Sequence, residues 1–349
     1  MQPERQPVPA ALQVAGVQLG GGTTSLGYVE GNLPREYRLP WGDSVRTKRN
    51  GLHRPSEVAP GSNSSQSFFN AVFQGAAFDS AGRITREIRS VEGTGMGMDF
   101  AGNGYWYDRL GRLVADSFLV NNAPPAACEG GAIVDEYGNS CVTGYGWAAS
   151  FGTTFSFDAV GNRTDRGGSY TTVGNRVTAF DGCSYSSDAD GDVTARTCGG
   201  VTTSFYWSAE SRLDSLTVGG VRIGYRYDAS GRLLRRDSAG VVQRHFLWDG
   251  DNLLAELDAG GTARVAEYSY LGTDRLHALI VGGDTTVYYA HQDARGSTRA
   301  LTADTVAYQR YWYTAWGLPA DAWGQPSSVG GPFWRGGPGA VEGGAEFRE

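Results

Sequence analysis

Few residues in this chain have the types and spacing that invite chemistry. His291 and Asp293 stand two apart with Arg295 beside them, a grouping that suits an acid–base pair or part of a metal site. The other histidines, His53, His245 and His277, fall in no ligand spacing with them. The run Asp188-Ala189-Asp190-Gly191-Asp192 suggests calcium. An EF-hand loop, however, needs glycine at position six and glutamate at position twelve, whereas here glycine is fourth and the twelfth residue is Gly199. No Gly-x-Ser-x-Gly elbow and no P-loop pattern occurs, and Gly93-Thr94-Gly95-Met96-Gly97 leads into no amphipathic helix. The expectation is a chain with no catalytic residue, no metal and no cofactor.

The cysteines are Cys128, Cys141, Cys183 and Cys198, without Cys-x-x-Cys spacing. Cys183 and Cys198 lie symmetrically about Asp190-Gly191. If that dipeptide forms a two-residue type I′ turn, the two face each other across a hairpin, and a disulfide there contributes about 3 kcal/mol and implies an oxidising compartment. If Asp188 opens a longer turn with Gly191 in the bulge, the facing pair is displaced by one residue. The disulfide is the preferred reading, and both turns stay open.

The elements that position these side chains follow from a recurring phrase: an aromatic residue, aspartate, two variable residues, glycine, then arginine or asparagine. Its best copies are Phe78 to Arg83, Tyr107 to Arg112, Phe157 to Asn162 and Tyr227 to Arg232. Weaker copies lie at Asp135 to Asn139, Asp188 to Gly191 and Trp207 to Arg212, and intervals between the aspartate places from Asp79 to Asp228 are 29, 27, 23, 30, 20 and 20 residues. Aspartate at the head of such a tetrad accepts hydrogen bonds from amides two or three residues on, and glycine at its end supplies φ > 0. The predicted turn pairs are Asp79 with Gly82, Asp108 with Gly111, Asp158 with Gly161, Asp188 with Gly191, Asp228 with Gly231, and Asp293 with Gly296. A second reversal is expected at Asp237-Ser238-Ala239-Gly240. Because His291 to Gly296 is itself a copy of the phrase, a structural role is favoured for His291 and Asp293.

Composition agrees with this reading. Glycine supplies 52 of 349 residues and aromatics 12%, a turn-rich β signature. The net charge of −7, with Lys48 the one lysine, argues against a nucleic-acid binder. No apolar run approaches the roughly 18 residues of a membrane span. Three zones result: 1–70 without the phrase and with a polar linker near 60–67, 71–317 with the repeats, and 318–349 rich in glycine, proline and tryptophan. The fold class expected is all-β, a strongly twisted antiparallel sheet of consecutive hairpins. Aromatics recur at strand positions. Trp248 and Trp312 are candidate carbohydrate contacts, with packing inside the wall the preferred role.

The aromatic-Asp-x-x-Gly-Arg phrase resembles the YD repeat of the rearrangement-hotspot (RHS) family. Tyr288 to Thr302, followed by Tyr311-Trp312-Tyr313-Thr314-Ala315-Trp316-Gly317, is similar to the start of that family's repeat-associated core region. The resemblance covers about 71–317. It implies a β-sheet shell or spiral in a large secreted or cell-surface protein, which in polymorphic toxins encloses a C-terminal toxin. Its partners would be the remaining parts of a longer RHS polypeptide or a toxin cargo. The family's core continues to a closing motif with self-cleaving aspartates, and the sequence ends at Ala345 to Glu349 without it. A truncated member is expected, not an enzyme, and its open sheet edges would favour self-association. The two alternatives are a surface carbohydrate-binding module and the remnant of a self-cleaving core.

Overall fold

A computed structural model describes residues 16–19, 22–29, 33–52, 54–60, 74–91, 99–121, 148–171, 174–271, 275–282, 285–293, 295–303, 306–317 and 319–320. Among these residues every regular element is a strand. The chain is all-β, with two large antiparallel sheets of ten and fifteen strands in which strand order follows sequence order. It divides into two compact units. One comprises Met1–Thr153, Ser269–Ile280 and Thr285–Glu349, the other Thr154–Tyr268 and Val281–Asp284.

The first unit begins with β1 (Gly16–Leu19), β2 (Gly22–Val29), β3 (Leu33–Arg38), β4 (Ser44–Arg49) and β5 (Pro55–Pro60). It continues with β6 (Gln74–Phe78), β7 (Ile84–Val91), β8 (Asp99–Tyr107), β9 (Leu113–Asn121) and β10 (Ala148–Thr154). The second unit carries β11 (Ser169–Tyr170), β12 (Val177–Phe180), β13 (Cys183–Ser187), β14 (Val193–Cys198), β15 (Val201–Trp207) and β16 (Leu213–Val218). There follow β17 (Val221–Tyr227), β18 (Leu233–Ser238), β19 (Val241–Asp249), β20 (Asn252–Leu257) and β21 (Arg264–Tyr270). The chain then returns to the first unit with β22 (Leu276–Val281), β23 (Tyr288–Gln292), β24 (Thr298–Ala303), β25 (Val306–Arg310), β26 (Trp312–Tyr313) and β27 (Pro319–Ala320).

Two kinds of reversal join the strands. In the first, Asp79 N–H donates to the Arg83 carbonyl at 3.0 Å and Gly82 N–H to the Asp79 carbonyl at 2.9 Å. One Asp79 carboxylate oxygen accepts the Arg83 amide at 2.9 Å and the other accepts Arg83 Nε at 2.7 Å. That amide first, and the guanidinium after it, hold the Asp79 carboxyl below the ordinary aspartate range against the opposing effect of burial. The same backbone pattern closes Asp108–Gly111, Asp158–Gly161, Asp228–Gly231 and Asp293–Gly296. The second kind is a two-residue loop. Cys198 pairs with Val201, Val218 with Val221 and Ser238 with Val241, around Gly199-Gly200, Gly219-Gly220 and Ala239-Gly240. All six loop residues have positive φ, as a type I′ turn requires. The reversal expected to open at Asp237 therefore opens at Ser238, and Asp237 lies in the ladder opposite Val242.

The aromatic residue of the phrase has a job of its own. Tyr107 Oη donates to the Ile84 carbonyl at 2.8 Å, Tyr227 Oη to Leu213 at 3.0 Å and Trp207 Nε1 to Val193 at 2.8 Å. Each accepting carbonyl lies five residues past the head of the preceding reversal, so the ring ties one hairpin to the one before it. The arginine that ends one phrase covers the ring that opens the next: Arg83 sits 4.8 Å from the Tyr107 centroid and Arg54 5.9 Å from Phe78.

Copies that the phrase does not reveal are built the same way. Asn50 accepts the amides of Leu52 and Arg54 at 3.0 and 3.1 Å, and Leu39 heads a reversal ending at Gly42. Asp258 heads one ending at Gly261. In the weak copy at Trp207 to Arg212, which the phrase does reveal, Ser208 takes the aspartate place and Ser211, at φ 53°, the glycine place. Residues 16–60, read as lacking the repeat, thus form five strands, and the pairing of Glu57 with Gly75 carries the ladder across residue 70. The polar stretch after Pro60, the weak copy at Asp135 and the tail after Ala320 lie outside the described residues.

Within the second unit, Cys183 and Cys198 are in register and joined by a disulfide with Cα atoms 4.4 Å apart. Asp188, not Asp190, heads the turn, its Oδ1 accepting the amides of Asp190, Gly191 and Asp192 at 3.0 Å each. A bulge between Ser186 and Ser187 then shifts the ladder by one residue and brings the cysteines opposite each other. Cys128 and Cys141 lie outside the described residues.

Gly231 sits at φ 84°, a conformation that disfavours a Cβ by roughly 1–2 kcal/mol. Gly231→Ala should lower the urea midpoint by that equivalent; an unchanged midpoint would contradict the turn assignment. Reducing the Cys183–Cys198 bridge, which closes a separation of 15 residues, should cost about 3 kcal/mol. Compared under reducing conditions, the Cys183→Ser/Cys198→Ser variant should match the wild type.

Candidate functional site

Buried polar groups concentrate in the first unit, where N-terminal strands meet β22–β24. The apolar base of this region is Tyr37, Leu39, Val45, Val58, Ala278, Tyr289 and Ala300, packed with Leu26, Trp41, Leu271 and Val287. Burying a Leu or Val side chain of this kind contributes roughly 1.5–3 kcal/mol, which anchors strands far apart in sequence.

Beside it lies a network of four charges. Glu87 on β7 is buried, accepts the Tyr105 hydroxyl at 2.8 Å and pairs with Arg295 at 2.6 Å and Arg299 at 3.5 Å. Arg299 Nε also pairs with Asp293 at 2.6 Å, both side chains being 4% exposed. Arg295 donates in addition to the Tyr105 hydroxyl at 3.2 Å, and Arg299 lies 4.9 Å from the Tyr313 ring centroid. Burial alone would lower the Arg299 guanidinium; Asp293 and Glu87 outweigh it and raise it. Burial, and after it the Glu87 carboxylate, push the Tyr105 hydroxyl up. The Arg299 guanidinium therefore keeps its charge through the physiological range. Neutral backbone supports the network closely: a Cβ on Gly102 would run into the Glu87 carbonyl oxygen.

The network is a modified copy of the repeat turn. Asp293 Oδ1 accepts the amides of Arg295 and Ser297 as the other turn aspartates do. The residue that would supply the guanidinium is Ser297, however, and Arg299 takes over that role from two residues further on. Tyr313 keeps the usual tie, its hydroxyl donating to the Thr298 carbonyl at 3.0 Å.

His291 and Asp293, which sequence spacing offered as one pair, have separate partners. His291 is fully buried, with Nδ1 3.1 Å from Tyr37 Oη and Nε2 2.8 Å from Thr302 Oγ1. His277, which spacing left unconnected, lies in the same core. Its Nε2 is 2.9 Å from Thr24 Oγ1 and its ring meets Tyr37 and Tyr289 edge-on at 5.6 and 5.4 Å. No linear motif joins residues that are 253 and 254 positions apart.

A recess beside Glu87 and Asp293, lined also by Ser56, Glu57, Val58, Gly75 and Ala76, encloses about 230 Å³ including its open mouth. Most of that is open solvent; the enclosed part is about 10 Å³, room for about one water molecule and too small for a substrate. No group of three or more metal-ligating side chains occurs among the described residues. Trp248 donates its indole N–H to the Leu233 carbonyl at 2.7 Å, which repeats the inter-hairpin tie. Trp312 is half-buried and pairs with Ala320.

No family model matches the chain, and no curated protein matches it in sequence. A solved structure does share its fold. The crystal structure of TcdB2-TccC3-Cdc42 matches at 14% identity and TM-score 0.56, over 87% of this chain and 16% of that one. TcdB2-TccC3-TEV matches at 12% identity and TM-score 0.32, over 84% and 16%. TcdB2-TccC3 without its hypervariable C-terminal region matches at 11% and 0.30, over 86% and 18%. This chain thus spans about a sixth of the chains it resembles, and the likeness is one of fold.

Removing one partner of a buried ion pair leaves the other uncompensated, at a cost of about 3–5 kcal/mol. Asp293→Asn should lose that much by denaturant unfolding, while Asp79→Asn at the less buried equivalent turn should lose far less. Equal losses would show that the buried network adds nothing to the turn.

Proposed function

We propose that this chain is a non-catalytic wall segment of an RHS-type β-shell, belonging to a secreted or cell-surface, polymorphic-toxin-like protein that encloses a cargo. The observation that carries this reading is the tie between successive hairpins. Each phrase closes its own turn and hands an arginine and a carbonyl to the next ring, so the sheet extends by adding identical joints. Such a sheet suits enclosure more than turnover. The fold likeness to TcdB2-TccC3-Cdc42 supports the same reading. No helix among the described residues is long and apolar enough to cross a membrane.

The partners in this reading are other parts of a longer RHS polypeptide and the enclosed toxin. The carbohydrate-binding alternative draws less support, because Trp248 directs its polar edge into the wall itself.

The test uses the polypeptide in which this chain naturally lies. Electron microscopy should show a hollow shell, and a segment enclosed by it should resist protease until the shell is denatured. An open, solid or fibrous particle with a freely digested cargo would overturn the proposal. The purified chain should also keep a single band at full mass over days, since self-cleavage would contradict a non-catalytic role.

A further inference from the structure

The two buried histidines sit where the beginning and the end of the chain meet in the first unit. His277 on β22 reaches Thr24 on β2, and His291 on β23 reaches Tyr37 on β3 and Thr302 on β24. Tyr37 serves both, bonded to one imidazole through its hydroxyl and packed edge-on against the other. Around them are apolar side chains, among them Val45, Val58, Ala278 and Ala300.

A neutral imidazole fits this place and an imidazolium does not. His277 Nδ1 is buried with no hydrogen-bond partner, so a proton added there meets no acceptor. The charged and titratable groups that bear on His277 are Tyr37 and Tyr289 at its ring faces and the cationic Arg275. Tyr37 and His277 itself bear on His291. Arg49 on β4 shares the field of Arg275. Positive charge in this group disfavours a further positive charge.

We propose that the packing of β2 and β3 against β22–β24 is an acid-released contact, held while His277 and His291 are neutral and broken when they take up protons. Burial, with Arg275 adding to it, lowers His277 to about 4, and burial, with His277 adding to it, lowers His291 to about 3. An unfolded histidine titrates near 6.5. Between these values the open form binds protons that the closed form refuses, so stability is full above the unfolded value and drains as pH falls below it. At pH 5.0 each histidine should weaken closure about 30-fold relative to pH 7.5, about 1,000-fold together. This inference goes beyond the shell reading and stands or falls without it.

Hydrogen exchange of the wild-type chain at pH 7.5 and 5.0, corrected for intrinsic rates, tests it. Protection in β2, β3 and β22–β24 should fall by at least about 100-fold and return on neutralisation, while β15–β18 of the second unit change less than about threefold. A loss of equal size in β15–β18, or no loss in either region, would overturn the proposal. In the His277→Asn/His291→Gln variant the acid-dependent loss should vanish, and its persistence would also overturn it. Should that variant fail to fold, imidazole NMR of the wild type decides. Both rings should stay neutral until the strands open, and titration near pH 6.5 with the strands still protected would refute the mechanism.

Discussion

A carboxylate that accepts several backbone amides at the head of a reversal is the constraint on which this structure rests. A five-residue loop leaves more amide groups without ladder partners than a two-residue one does, and orphaned amides are costly. Aspartate solves this with one oxygen, as Asp188 does for three amides, and leaves the other free for arginine. That arginine in turn covers the next ring, and the ring's polar tip closes a carbonyl of the preceding strand. Satisfaction of polar groups thus passes from hairpin to hairpin, and the sheet lengthens without needing a new device at each step.

How much of this the sequence discloses depends on the range of each interaction. The Asp79, Asp108, Asp158, Asp228 and Asp293 turns are local, each written within six residues, and they are readable. The turns at Leu39, Asn50 and Asp258 close with related backbone bonds but have a different head, an earlier place in the chain or one extra residue, so the literal phrase passes over them. Physical chemistry explains the tolerance: asparagine offers the same side-chain oxygen as aspartate, and the Leu39 reversal keeps its backbone bonds without a side-chain acceptor. The cysteine pair shows the opposite case. Two turn geometries were open, and the register that places Cys183 across from Cys198 arises from a bulge that sequence alone does not announce.

The buried site was legible only in pieces. Asp293 could be named as a turn residue and its contact with Arg299 is local, but the contact of Arg299 with Glu87 joins strands far apart in the chain. Bonds spanning 190 to 254 residues carry a closure entropy that grows slowly with length, by roughly 0.6 kcal/mol per doubling. A modest apolar core can therefore offset it. Val45 and Ala278, both wholly buried, and Leu39 supply that core, and the ionic network beside them fixes which strand faces which.

The Asp293 turn shows how a repeat becomes a closure. At Asp79 the guanidinium at the end of the phrase serves its own turn and the next ring, lying along the sheet. Here serine occupies that place; Arg299, two residues on, serves the turn and the next ring and also reaches Glu87 on β7, where Arg295 joins it. The substitution changes a joint that propagates into one that joins distant strands, while the backbone hydrogen bonds of the reversal remain. Because the same ladder carries both kinds of joint, a small change in side chains decides whether a hairpin ties to its neighbour or to a distant strand. The buried histidines lie on the meeting side of that choice, which is why proton uptake there acts on closure and leaves the repeating joints alone.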